Sequence, residues 1–191
     1  MSKLFFKYSA MNAGKSTALL QASHNYKERD QRPIIAKPSI DTKSDKVLSR
    51  LNVSAEVDWH VGPDDDIRDM LESETDPVDC ILVDEAQFLT ARQVEQLFYI
   101  AVAKRIPVLA YGIRTDFATQ AFPGSARLLE LAHSVEEMKT ICRCGNKAMF
   151  NGRKVDGEWV REGSQVAIDG QQAEYESLCG ECYIKFVGWF N

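Results

Sequence analysis

The chain has 191 residues, of which 45% are hydrophobic, 27% charged and 9% aromatic, the balance of a folded globular protein and not of a disordered one. That length holds one domain of ordinary size with a small appendage and excludes two full catalytic domains. Twenty-three Lys and Arg against 28 Asp and Glu leave a net charge of −5, which excludes a general positive field for a nucleic acid backbone or an anionic membrane, while a small anion can still be held locally.

The opening segment, Met1 to Tyr8, lacks the roughly 7 to 15 residue apolar stretch of a secretory signal, and Ser2 does not fit the N-myristoylation pattern. No run approaches the ~18 apolar residues of a spanning helix, since the longest, Ile106 to Ile113, contains Pro107 and Gly112. A soluble, cytoplasmic protein with no membrane partner is expected.

Leu4 to Tyr8 is a short apolar run that ends in small residues, Ser9 to Gly14, after which Lys15 to Lys27 runs without Pro or Gly; the pattern predicts strand, loop, helix. Pro33–Lys37, Cys80–Val83 and Pro107–Tyr111 are further continuous apolar runs, which suit strands buried on both faces of a parallel sheet. Between the last two, Val94, Leu97, Phe98, Ala101 and Val102 recur at helical spacing, with Thr90 as cap, so Thr90 to Arg105 is predicted helical. Alternating strands and helices make an α/β fold. Pro38 to Asn52 is polar and reads as a mobile loop, and Asp64-Asp65-Asp66 as a helix start or solvated turn. After about Lys139 the chain becomes short segments punctuated by glycines, so a domain boundary is placed there: 1–139 and 140–191.

Ala13-Gly14-Lys15-Ser16-Thr17, directly after a strand and at a helix start, has the context of a phosphate-binding loop: backbone N–H groups enclose phosphate oxygens, Lys15 reaches the outer phosphates and Ser16 faces Mg²⁺. The full pattern has Gly where this chain has Ser9. The plainer alternative is a helix N-terminus with an exposed lysine. Asp84 and Glu85 follow the Cys80–Val83 strand. Mg²⁺ is a hard cation that takes carboxylate oxygens, so Asp84 is the metal-side acid and Glu85 a base toward the attacking nucleophile. Two solvated acids are the alternative. Cys142-x-Cys144 and Cys179-x-x-Cys182, with 34 residues between the pairs, can supply four thiolates to a closed tetrahedral zinc site, the alternatives being buried thiols or a redox pair; Cys80 stands alone.

Together, Ser9 to Thr17, Asp84-Glu85-Ala86-Gln87-Phe88, Tyr111 to Phe117, the late cysteines and Tyr175 resemble the thymidine kinases that join a P-loop domain to a zinc-bearing lasso domain, over nearly the whole chain. Ser9 is similar to the bacterial branch. The resemblance implies a P-loop, RecA-like, mostly parallel sheet flanked by helices, with a small zinc-ribbon-like lasso domain. It implies transfer of the γ-phosphate of ATP to the 5′-hydroxyl of thymidine, with Mg²⁺ as catalytic and Zn²⁺ as structural cofactor, in a homotetramer. Glu85 is then the catalytic base. Ser9, Ala10, Met11, Asn12, Ala13, Gly14, Lys15, Ser16, Asp84, Glu85, Ala86 and Gln87 bind the nucleotide. Phe88, Phe117, Phe122 and Tyr175 wall the nucleoside pocket, and Val166, Ile168, Asp169 and Gly170 read the base through the backbone; for each aromatic, ordinary core packing is the alternative. This chain departs from the family pattern in having Asp41-Thr42-Lys43 for Asp-x-Arg, Ile168-Asp169-Gly170 for a Gly-Gly after the Ile, and one extra residue before Tyr175.

Two other classes compete. Asp84-Glu85-Ala86-Gln87 is similar to helicase motifs, but a nucleic-acid motor needs a second lobe, and only about 50 residues follow the first domain. In a non-catalytic nucleotide switch, Glu85 would have no nucleophile to activate.

Overall fold

The computed structural model describes residues 2–40, 46–48, 54–165 and 173–188. In chain order β1 (Leu4–Ser9) leads to helix α1 (Lys15–Lys27), β2 (Pro33–Pro38), a ribbon of β3 (Lys46–Leu48) and β4 (Ser54–Glu56), then β5 (Trp59–Val61), α2 (Ile67–Glu72) and β6 (Cys80–Val83). A single turn at Ala86–Phe88 precedes α3 (Ala91–Tyr99), and β7 (Val108–Ile113), α4 (Pro123–Leu131) and β8 (Ser134–Glu137) follow. The rest comprises the hairpin β9 (Thr140–Ile141) and β10 (Lys147–Ala148), then β11 (Phe150–Val155), β12 (Glu158–Val160), β13 (Ala173–Leu178) and α5 (Gly180–Phe186).

Six strands form one sheet in the order β5-β2-β6-β7-β1-β8, with every neighbouring pair parallel. β7 lies between the strand that leads into the Ser9–Gly14 loop and the strand that ends at the acidic pair, which is the RecA-like arrangement expected. Alternation within the strands explains the continuous apolar runs. Ile34, Ala36, Ile81 and Val83 face one core with Val94 and Leu97 of α3 and Leu128 of α4, while Ile35, Cys80 and Leu82 face the other with Leu19 and Leu20 of α1. Both faces are buried, so neither tolerates a polar stripe.

The helix expected at Thr90 begins there: Thr90 Oγ1 accepts from Gln93 N and Gln93 Oε1 accepts from Thr90 N, a reciprocal cap. Regular helix ends at Tyr99, and a wider π-type turn over Ile100–Lys104 closes at Arg105 in the left-handed region. The polar segment from Pro38 to Asn52, expected as loop, contains β3, which pairs antiparallel with β4. Asp66 caps α2 through Arg68 N and pairs with Arg68 and Arg92, so that acidic run starts a helix.

The three-stranded antiparallel sheet β12-β11-β13 packs with α5 around a third core of Cys142, Ala148, Leu178, Cys179, Cys182 and Tyr183. α4 sits tightly on the turn after β6. A Cβ on Gly124 would lie 2.6 Å from the carbonyl oxygens of Ala86 and Leu89 and 2.9 Å from that of Gln87. All three obstacles are backbone. Gly124→Ala should therefore destabilise the protein by about 1–3 kcal/mol, read as a lower urea midpoint at unchanged slope.

Candidate active site and metal centre

Parallel pairing puts the loops after β1, β6 and β7 at one edge of the sheet, the carboxyl edge, where open α/β sheets take ligands. The loop after β1 turns through Asn12 (φ 65°) and Gly14 (φ 78°), both left-handed. A Cβ at Gly14 would touch nothing within 4 Å, so conformation and not crowding calls for glycine there. α1 then starts at Lys15 with no side chain capping its first turn among the described residues. Such a helix start offers backbone N–H groups and a partial positive charge to an anion.

Lys15 is buried, and its Nζ donates to Ser9 Oγ at 3.0 Å and to the Ala10 carbonyl at 3.2 Å. The serine in place of glycine at the start of the loop thus holds the lysine. Burial lowers the Lys15 pKa, and the charges of Glu85 and Asp84 oppose that shift. Ser16 Oγ donates to Asp84 Oδ2 at a long 3.5 Å. Asp84 is 4% exposed, and burial, reinforced by the charge of Glu85, pushes its carboxyl up to about 7 against the pull of Lys37 and Lys15. Lys37, buried at the end of β2, was not singled out from the sequence. A lysine inside an otherwise apolar strand run was the available signal.

Glu85 is held at φ 49°, ψ 39°, a left-handed conformation that costs a non-glycine residue roughly 1–2 kcal/mol. Gln87 Nε2 donates to its Oε2 at 2.5 Å, and Gln87 Oε1 accepts from Ile113 N at 3.2 Å. Both ends of the Gln87 amide are engaged, so the base candidate is tied to the end of β7. Ala86, expected beside the nucleotide, is fully buried in the core.

The expected aromatic wall divides. Phe88 and Phe122 meet edge to face at 5.5 Å, and Phe122 is buried. Phe117 is buried beneath the Arg153 guanidinium, 3.6 Å from its ring centre, and its carbonyl accepts from Tyr183 Oη at 2.6 Å. Tyr175 lies on β13 opposite Arg153 of β11 and is half-buried. Arg153, not singled out from the sequence, also donates to the carbonyls of Ser164 (2.8 Å) and Glu162 (3.2 Å), joining the Phe117 loop to the excursion after β12. Val166, Ile168, Asp169 and Gly170, and likewise Asp41 and Lys43, lie outside the described residues.

The four late cysteines converge, with all sulfurs within 4.8 Å of one another. A tetrahedral ion with ~2.3 Å bonds requires sulfurs about 3.8 Å apart, and Cys144 and Cys179 stand 3.6 Å apart. Cys182 N donates to Cys179 Sγ at 3.5 Å. Burial acts to raise the Cys142 thiol, but backbone hydrogen bonds at Cys144 and Cys179 outweigh it and bring the thiol down to about 7. The donor set fits one closed metal site.

Without Mg²⁺ or nucleotide, the raised Asp84 pKa costs stability in a defined window. The native carboxyl holds its proton up to about 7 while the unfolded one releases it near 3.8, so stability falls as pH rises between those values. Asp84→Asn should be more stable than wild type by on the order of a few kcal/mol at pH 8 and no more stable at pH 3, in urea titrations of ligand-free protein.

No helix among the described residues is long and apolar enough to cross a membrane. A family model described as Thymidine kinase matches residues 2–183. The thymidine kinase of Chromobacterium violaceum is 46% identical over 186 residues, covering 96% of this chain and 98% of its own length. That of Pasteurella multocida is 48% identical over 183 residues (94% and 95%), and that of Ruegeria pomeroyi 47% over 193 residues (98% and 96%). With a phosphate loop, an acidic pair and a four-cysteine cluster arranged as above, and matches of this extent, the chain belongs to the thymidine kinase family.

Proposed function

We propose that this protein is an ATP-dependent thymidine kinase that transfers the γ-phosphate of ATP to the 5′-hydroxyl of thymidine, giving thymidine monophosphate for DNA precursor salvage. The observation that carries the reading is the convergence of Lys15, Ser16, Asp84 and Glu85 at one sheet edge in a chain of this family. The Glu85 carboxylate, fixed by Gln87, accepts the proton of the 5′-hydroxyl as that oxygen bonds to the γ-phosphorus and the bond to ADP breaks. Lys15 swings from Ser9 and the Ala10 carbonyl to the outer phosphates and offsets their charge. Ser9 to Ser16 supply the phosphate cradle, and Ala86 and Gln87 the turn that closes the nucleotide side. Ser16 and Asp84 would hold Mg²⁺, a hard cation that neutralises phosphate charge when bound with ATP. Little covalent chemistry is left to the protein, so positioning dominates.

Phe88, Phe117, Phe122 and Tyr175 wall the nucleoside side, and Val166, Ile168, Asp169 and Gly170 read the base. Residues 1–139 form the kinase domain and 140–191 the lasso domain, where Cys142, Cys144, Cys179 and Cys182 hold a structural Zn²⁺. The acidic net charge supports a cytoplasmic enzyme without nucleic acid or membrane partners, and the family resemblance supports a homotetramer.

Labelled γ-phosphate from Mg-ATP, offered to thymidine, deoxyuridine, deoxycytidine and deoxyguanosine with a no-nucleoside control, should appear on thymidine at the 5′ position. ATP hydrolysis without nucleoside labelling would sink the assignment. Glu85→Gln should lower kcat by roughly 10²–10⁴-fold while ATP still binds, which separates the kinase from a nucleotide switch. Cys182→Ser should release zinc to a chromogenic chelator and lower the melting temperature, because a closed thiolate site contributes folding free energy directly.

A further inference from the structure

The phosphate loop is gripped from outside its own domain. Met11, within the loop, donates its backbone N–H to Asn151 Oδ1 at 2.7 Å and accepts at its carbonyl from Ser177 Oγ. Asn151 on β11 and Ser177 on β13 are direct cross-strand partners, so a single rung of the antiparallel sheet closes on both polar groups of one loop residue. Asn151 is 3% and Ser177 7% exposed, which leaves little water to compete for these bonds. The second arm of Asn151, Nδ2, donates to the Thr115 carbonyl at 3.0 Å, in the loop that carries Phe117. Only one orientation of the amide satisfies both arms, since Oδ1 cannot donate and Nδ2 cannot accept. The Met11 N–H is committed to this grip, so the rung fixes the loop at that residue.

We propose that Asn151 and Ser177 are positioning residues for phosphoryl transfer, which make the conformation of the phosphate loop depend on the three-stranded antiparallel sheet and join it, through Thr115, to the nucleoside side. The inference rests on the phosphate-loop reading above. Nucleotide binding to one side of the rung and order in the sheet on the other are then linked, and each must favour the other.

The test uses full-length, metal-loaded protein, with ATP affinity measured by a fluorescent ATP analogue apart from any transfer. Ser177→Ala should weaken ATP binding and raise KM for ATP about tenfold, the equivalent of about 1.4 kcal/mol, with zinc content unchanged. Ser177→Thr, which keeps the hydroxyl, should recover most of the loss. Asn151→Ala removes both arms and should raise KM for ATP and for the nucleoside together. A merely structural role would lower the melting temperature and leave both constants alone, and that result in Ser177→Ala overturns the proposal. Should the alanine variants not fold, amide exchange in the wild type decides: the Met11 amide should exchange slowly, and more slowly with ATP, whereas fast exchange overturns the grip. Wild type that binds ATP yet labels no nucleoside would defeat the kinase reading and with it the role in transfer, while the link between the rung and ATP affinity is read separately, from binding.

Discussion

Parallel pairing between β1, β7 and β6 is the constraint on which the rest depends. A parallel pair cannot be joined by a tight turn, so each strand is followed by a crossover, and every crossover leaves from the same edge of the sheet. That geometry delivers the loop after β1, the acidic pair after β6 and the loop after β7 to one crevice. It also demands cover on both faces. α1 on one side, and α3 with α4 on the other, supply it.

The crevice collects charge that the fold alone would not favour. Two buried lysines, Lys15 and Lys37, lie close to the buried carboxyl of Asp84, and burial beside Glu85 raises the pKa of that carboxyl against their pull. On the far side of the crevice, the small sheet and α5 brace the loops in three places: Arg153 over the Phe117 ring, Tyr183 of α5 on the Phe117 carbonyl, and the Asn151–Ser177 rung on Met11. A module that looks like an appendage in the sequence is part of the wall of the crevice.

What the sequence disclosed follows the same physics. β1, β2, β6 and β7 were legible because strands buried on both faces are continuous apolar runs, and α3 because its cap and its apolar spacing agree. The edge strands β5 and β8 were not, since Trp59-His60-Val61 is too short and Ser134–Glu137 too polar and half-exposed to stand out. Lys15, Asp84, Glu85 and the cysteines could be singled out because their chemistry depends on neighbours near in sequence. Lys37 beside Asp84 and the grip of Asn151 on a loop 140 residues away depend on the tertiary path, which no local pattern encodes. Phe117 was legible as an aromatic that matters, but not as one roofed by an arginine from β11.

The antiparallel register running from Phe150 opposite Leu178 to Val155 opposite Ala173 has a consequence for how such chains vary. One end of this ladder abuts the cysteine cluster, and the other opens into the excursion between residues 156 and 172. The ladder of β11 against β13 is indexed from the cysteine end, so a change of length beyond its far end shifts none of its rungs. An inserted residue is costly between Phe150 and Val155, where it would turn every side chain beyond it to the opposite face of the sheet.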